Sequence, residues 1–161
     1  MTGLAVGASS FAAAQAEALA QNSDRCGPVY DQIQQNISPE LSRQIGRYAS
    51  HGIKVHVQIF QESKTEGVKN LDDLRALQVR IADECGRSNS NALDVIISDN
   101  PRNFNIHRDG KASSVISDKE AEDATGDFVS DLKDFDTPHQ KDVANLLEEL
   151  YPFGPAPSNP E

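Results

Sequence analysis

From Ser38 onward the chain switches between two hydrophobic periods, one of three to four residues and one of two. Ser38-Pro39-Glu40-Leu41 reads as an N-cap followed by proline at the first helical position, where a missing N–H costs nothing. Leu41, Ile45 and Tyr48 or Ala49 mark one helical face, and His51-Gly52 closes it, glycine suiting the left-handed closing residue. Ile53-Lys54-Val55-His56-Val57-Gln58-Ile59 follows at once. Its four β-branched residues alternate with polar ones, the period of a strand. Asn70 caps a second helix, with Asp72 and Asp73 in the first turn, where the helix dipole favours negative charge. Leu71, Leu74, Leu77 or Gln78, Ile81 and Cys85 keep helical spacing, and Cys85-Gly86 ends it.

The second half repeats these signals. Ala92-Leu93-Asp94-Val95-Ile96-Ile97 is an almost continuous apolar run, the mark of a central strand covered on both faces. Asp99-Asn100-Pro101 turns the chain, and Asn103–Arg108 alternates again. The short gap predicts an antiparallel hairpin, whereas the helix between the first two strands predicts a parallel crossover. Ser117-Asp118-Lys119-Glu120 is a capping box opening a helix with Ala121, Ala124, Phe128 and Leu132 on one face. Thr137-Pro138-His139-Gln140 is a second box, whose helix carries Val143, Leu146, Leu147 and Leu150. The predicted order α-β-α-β-β-α-α is one α/β domain, a mixed sheet with helices on its faces, within residues 26–151.

Length changes this picture little: 161 residues suit one domain with loose ends. Residues 2–20, TGLAVGASSFAAAQAEALA, are small and apolar with one charge, Glu17. Ala16-Glu17-Ala18 and Ala18-Leu19-Ala20 resemble signal-peptidase sites, so residues 1–25 read as a signal-peptide remnant or a flexible arm. A basic segment ahead of the apolar stretch is missing, which leaves a start upstream, a trimmed signal, or an alanine-rich arm as readings. Residues 152–161 hold four prolines and read as a disordered tail. No run approaches the ~18 apolar residues of a membrane helix. Cys26 and Cys85 belong to no CxxC pair. In an exported protein they would form a disulfide worth ~3–4 kcal/mol on the chain-entropy model; in a cytosolic one they would be buried thiols.

Charge narrows the function. Twenty-five acidic and 15 basic residues give a net charge of −10, which argues against nucleic acid as partner and is compatible with attraction to cations or with simple solubility. No phosphate-binding loop, GxSxG or HExxH motif is present. Ligands of α/β sheets bind beyond the carboxyl ends of parallel strands. The loop after the first strand leads to Asp72 and Asp73, the next strand ends at Asp99, and Asp118 opens a later helix. These acids suit Ca²⁺ or Mg²⁺ if they converge, while Asp72, Asp73 and Asp118 each also suit a helix N-terminus for purely structural reasons. His56 and His107 occupy polar positions of two strands and would share a face if those strands were neighbours. Asp94 interrupts an apolar strand and needs a partner, for which Arg80, Lys54 and His107 are the candidates.

The run of helix, Gly52-Ile53-x-Val55 strand, acidic-capped helix, apolar strand ending Ser98-Asp99, Asn100-Pro101-Arg102, Phe104-x-Ile106 strand and Ile116-Ser117-Asp118-x-Glu120-Ala121 helix resembles the TPM domain, also called the TPM phosphatase domain. The resemblance covers roughly residues 37–150 and is strongest to exported actinobacterial members, which often carry a cysteine near the helix end that Cys85 occupies. It implies a three-layer α/β/α sandwich facing an extracytoplasmic space. Some members are associated with acid phosphatase activity in the thylakoid lumen and some are membrane-anchored. By position, Asp99 and Arg102 match the family's acid–arginine turn, Asp118 the acid of the following helix, and Asp73 the acid of the first-loop helix. Three departures stand out. The family's glycine- and tryptophan-containing stretch is Gly86-Arg87-Ser88-Asn89-Ser90 here, its glycine-rich segment before the later aspartate is Lys111-Ala112-Ser113-Ser114, and Asn100-Pro101 separates Asp99 from Arg102. The expectation is therefore an exported monomer that binds another exported or membrane protein, or a divalent cation, through Asp73, Asp99 and Asp118 with Asp72 and Arg102 nearby. A weak metal-assisted acid phosphatase and an unrelated cytosolic domain are the alternatives. No catalytic residue is assigned.

Overall fold

Four strands make a sheet of order β1-β2-β3-β4 in a computed structural model that describes residues 25–34, 36–61, 63–87, 91–99, 102–131 and 139–154. The N-terminal arm before Arg25 and the residues after Gly154 lie outside those described, as do Asn100, Pro101, Leu132, Thr137 and Pro138. The elements are β1 (Val29–Asp31), α1 (Pro39–Ala49), β2 (Lys54–Phe60), a 3₁₀ turn (Ser63–Glu66), α2 (Leu71–Glu84), β3 (Ala92–Ser98), β4 (Asn103–Arg108), α3 (Lys111–Val115), α4 (Asp118–Asp131) and α5 (His139–Leu150). β1, β2 and β3 are parallel, and β4 returns antiparallel to β3. The mixed α/β architecture, the crossover and the hairpin are thus as expected.

The local chemistry explains the boundaries. The Ser38 hydroxyl accepts from the Leu41 N–H and starts α1. The Asn70 side chain accepts from the Asp73 N–H, while the Asp73 carboxylate accepts from the Lys69 N–H, a reciprocal closure of the first turn of α2. Ser117 and Glu120 close α4 in the same way. Gly52 ends α1 at φ 80°, where a side chain would be strained.

All seven residues of β3 are buried, and the two sheet faces build separate cores. Val55, Val57, Ile59, Leu93, Val95 and Ile97 face α1, α4 and α5. Phe60 and Ile96 face Leu74, Leu77 and Ile81 of α2. The result is three layers. One consequence of topology is unusual. The β1–α1–β2 and β2–α2–β3 connections step the same way along the sheet, yet α1 and α2 lie on opposite faces. The two crossovers therefore have opposite hands, and one is of the uncommon left-handed kind.

Two elements go beyond the expected order. β1 has three residues, too few for alternation to be visible, and α3 has five. β1 is secured by more than its pairing. Cys26 just before it is bonded to Cys85 at the end of α2, 59 residues away. Arg25 reaches Glu66 at 3.0 Å and lies over the rings of Tyr30 and Phe60. Asp31, at its far end, accepts from the Ile33 and Gln34 N–H groups and from Gln140 of α5.

Of the expected tail only Pro152–Gly154 are described. Pro152–Gly154 follow the domain surface, with Phe153 stacked on His51 at 3.8 Å and Arg47 over the Tyr151 ring at 3.7 Å. Proline there ends the helix without ending the packing. Beneath them the Tyr48 hydroxyl donates to the Leu147 carbonyl at 2.6 Å, and burial pushes its pKa up.

Replacing both Cys26 and Cys85 by serine should lower stability by about 4 kcal/mol, the chain-entropy value for a loop of this length. Chemical denaturation of the oxidised protein and the double variant measures it.

Candidate functional site

The expected acids fall at different places. Asp73 is engaged in the cap of α2, and Asp72 is 90% exposed beside Arg75 at 3.6 Å. Asp99 follows β3 and lies 3.8 Å from Arg102 across the turn, so the acid–arginine pair of that turn is formed. Its carbonyl accepts from the Ser63 N–H and hydroxyl, tying the turn to the segment after β2. Asp118 is 91% exposed at the start of α4 and is paired with Arg108 of β4. Among the described residues no three or more His, Cys, Asp or Glu side chains form a group able to hold a metal.

The turn after β3 faces the start of α5. There His139 is buried, 3.9 Å from Asp142, with Asp31, Asp99 and Arg102 in electrostatic range. Burial lowers the pKa of His139; Asp142, Asp31 and Asp99 oppose that shift and Arg102 reinforces it.

A second charged group sits at the other end of the sheet. Strand register puts His56, Asp94 and His107 side by side across β2, β3 and β4, on the face that α2 covers. Asp94 is 4% exposed. Its carboxylate lies 2.9 Å from His56 Nδ1 and 3.5 Å from Arg87 Nη1, and its carbonyl accepts from Gln78. The candidates Arg80, Lys54 and His107 are thus replaced by His56 and Arg87. His56 follows from the parallel register, which a single strand does not reveal. Arg87 follows the closing turn of α2, where periodicity is silent. Burial lowers the Arg87 pKa and Asp94 opposes it. A cavity of about 240 Å³ opens above, lined also by Asp83, His107 and Asp109.

Another opening runs along β4. A groove of about 350 Å³ has β4 residues Phe104–Ile106 and Arg108 as its floor, Leu71 and Arg75 of α2 on one side, and Asp118, Ala121, Glu122 and Thr125 of α4 on the other. Arg75 Nε donates to Asn105 Oδ1 at 3.2 Å, and Asn105 donates to Gln78 at 2.6 Å, fixing the α2 wall on the strand. Arg108 donates to the Ile116 carbonyl and to Asp118, fixing the α4 wall. Asp118 is thus the one expected site residue that lines this groove, with Asp72 on its rim through Arg75. The floor sets Phe104 and Ile106 beside Asn105 and Arg108, and the α4 rim carries Asp118 and Glu122.

No family model matches the chain, and no curated protein matches it.

Two outcomes follow from the buried charges. Asp94→Ala removes the buried carboxylate that His56 and Arg87 share and should cost about 3–5 kcal/mol, as urea denaturation would show. His139 takes up its proton more readily in the unfolded chain. Stability should therefore fall as pH drops below about 6.5 toward the lower folded value. His139→Gln should flatten that part of the profile.

Proposed function

We propose that the chain is an extracytoplasmic interaction module of the TPM-like kind, exported and oxidised, which holds a protein partner rather than catalysing a reaction strongly. The observation that carries this reading is the Cys26–Cys85 bond. Both cysteines of the chain are committed to it. Structural disulfides persist in oxidising compartments and are reduced in the cytosol. Here the bond secures a three-residue strand that has little pairing of its own, so reduction would loosen the fold. The groove beside β4, where Phe104 and Ile106 lie among charged walls, supplies the surface that a partner would use.

Divalent-cation binding at Asp73, Asp99 and Asp118, and weak phosphatase chemistry there, draw less support. The Asp73 carboxylate accepts from a backbone N–H and the Asp118 carboxylate is paired with an arginine, so cation binding would have to displace both.

Non-reducing peptide mass spectrometry of protein recovered from its native host should find Cys26 linked to Cys85. Two alkylatable thiols in that material would remove the export reading.

A further inference from the structure

The two edges of the sheet are built differently. β1 is three residues long, and short edge strands are one way proteins avoid unwanted pairing. β4 is six residues, NFNIHR, with neither proline nor lysine. The outward direction of its backbone can be read from the ladder. The Asp109 N–H donates to the carbonyl of Ala92, its opposite number across the hairpin, so that pair is a hydrogen-bonded one. Such pairs alternate in an antiparallel ladder, which makes Asp94 with His107, Ile96 with Asn105 and Ser98 with Asn103 the bonded pairs. The N–H and C=O groups of Phe104, Ile106 and Arg108 then point away from β3, into the groove between α2 and α4.

Charge selects what fits there. α4, which walls one side, carries six acidic residues to one lysine; on the groove itself Asp118 is paired with Arg108 and Arg75 lies beside Asp72, while Glu122 is exposed. We propose that β4 accepts an extended basic segment of another protein as a fifth strand, its backbone bonded to Phe104, Ile106 and Arg108. Its alternate side chains, lysine or arginine, lie toward α4 with their stems on Ile106 and Ala121 and their charges on Glu122 and the acidic outer face of that helix. This deepens the reading of the chain as an interaction module and rests on it. Other occupants fit less well. A second copy paired antiparallel through β4 keeps both sheet faces aligned, which sets one acidic α4 beside the other. Within this chain, residues 1–24 contain no lysine or arginine, and residues 155–161 are proline-rich with one acid and no base.

The test uses the oxidised, full-length protein and a blocked octapeptide alternating lysine with valine. A version with glutamate for lysine is the control. NMR hydrogen exchange should show the Phe104, Ile106 and Arg108 amides slowing on addition of the lysine peptide and not of the glutamate one. The affinity should fall with added salt. Glu122→Lys, an exposed helix change, should weaken binding about tenfold. Ile106→Pro removes an outward N–H without touching the ladder to β3, a place where edge strands tolerate proline, and should abolish the protection. Protection absent with the lysine peptide, equal protection by both peptides, or binding that leaves those three amides unprotected would overturn the proposal. So would protection that appears without peptide and grows with protein concentration, which would assign the edge to self-association. None of these results bears on the disulfide, so the export reading stands or falls separately.

Discussion

Seven consecutive residues of β3 lie out of reach of water, and a strand buried on both faces needs a layer on each. That requirement organises the molecule. Leu93, Val95 and Ile97 demand the α1, α4 and α5 layer, and Ile96 demands α2. Asp94 interrupts this strand, so its charge has to be met where it stands. His56 is available because β2 is in parallel register, and Arg87 because α2 ends beside the start of β3. The polar face under α2 then continues through Gln78 to Asn105 and Arg75, which sets one wall of the β4 groove. The burial of β3 and the shape of the groove are parts of one packing solution.

Local signals were legible where they are self-contained. The caps at Ser38 and Asn70 and the Ser117–Glu120 box each form as their spacing suggests, because each closes within four residues. The apolar run of β3 and the turn before β4 gave the hairpin for the same reason. β1 was illegible: three residues carry no period, and their place depends on pairing with Val57–Ile59 far along the chain. The partner of Asp94 was illegible because it depends on register. Asp72, Asp73 and Asp118 have two physical explanations in the sequence, a cation or a helix start. The structure gives Asp73 and Asp118 backbone and arginine partners that the chain alone does not specify. The groove depends on which strand ends the sheet and which helix flanks it, and the only sequence trace of it is the unusual acidity of the α4 segment.

That acidity also separates two uses of charge. On the α2 side, charges are matched inside the protein, with Asp94 held by His56 and Arg87. On the α4 side they are largely turned to solvent, where Lys119 meets Asp123 and Glu122 and Asp127 are exposed. Buried charges constrain the fold because an unmatched one is costly; exposed ones cost little and set the potential that an approaching molecule meets.

The opposite hands of the two crossovers bear on how the chain is made. A nascent polypeptide emerges N-terminus first, so β1 and Cys26 are present before β2, α2 or Cys85 exist. The bond that fixes β1 cannot form until α2 has been synthesised to its last turn. During that interval β1 has only three residues of pairing to hold it, and one of the two crossovers must run against the turn that strand twist favours. The first strand to appear is therefore locked only once α2 has been completed, when the cysteine that holds it exists.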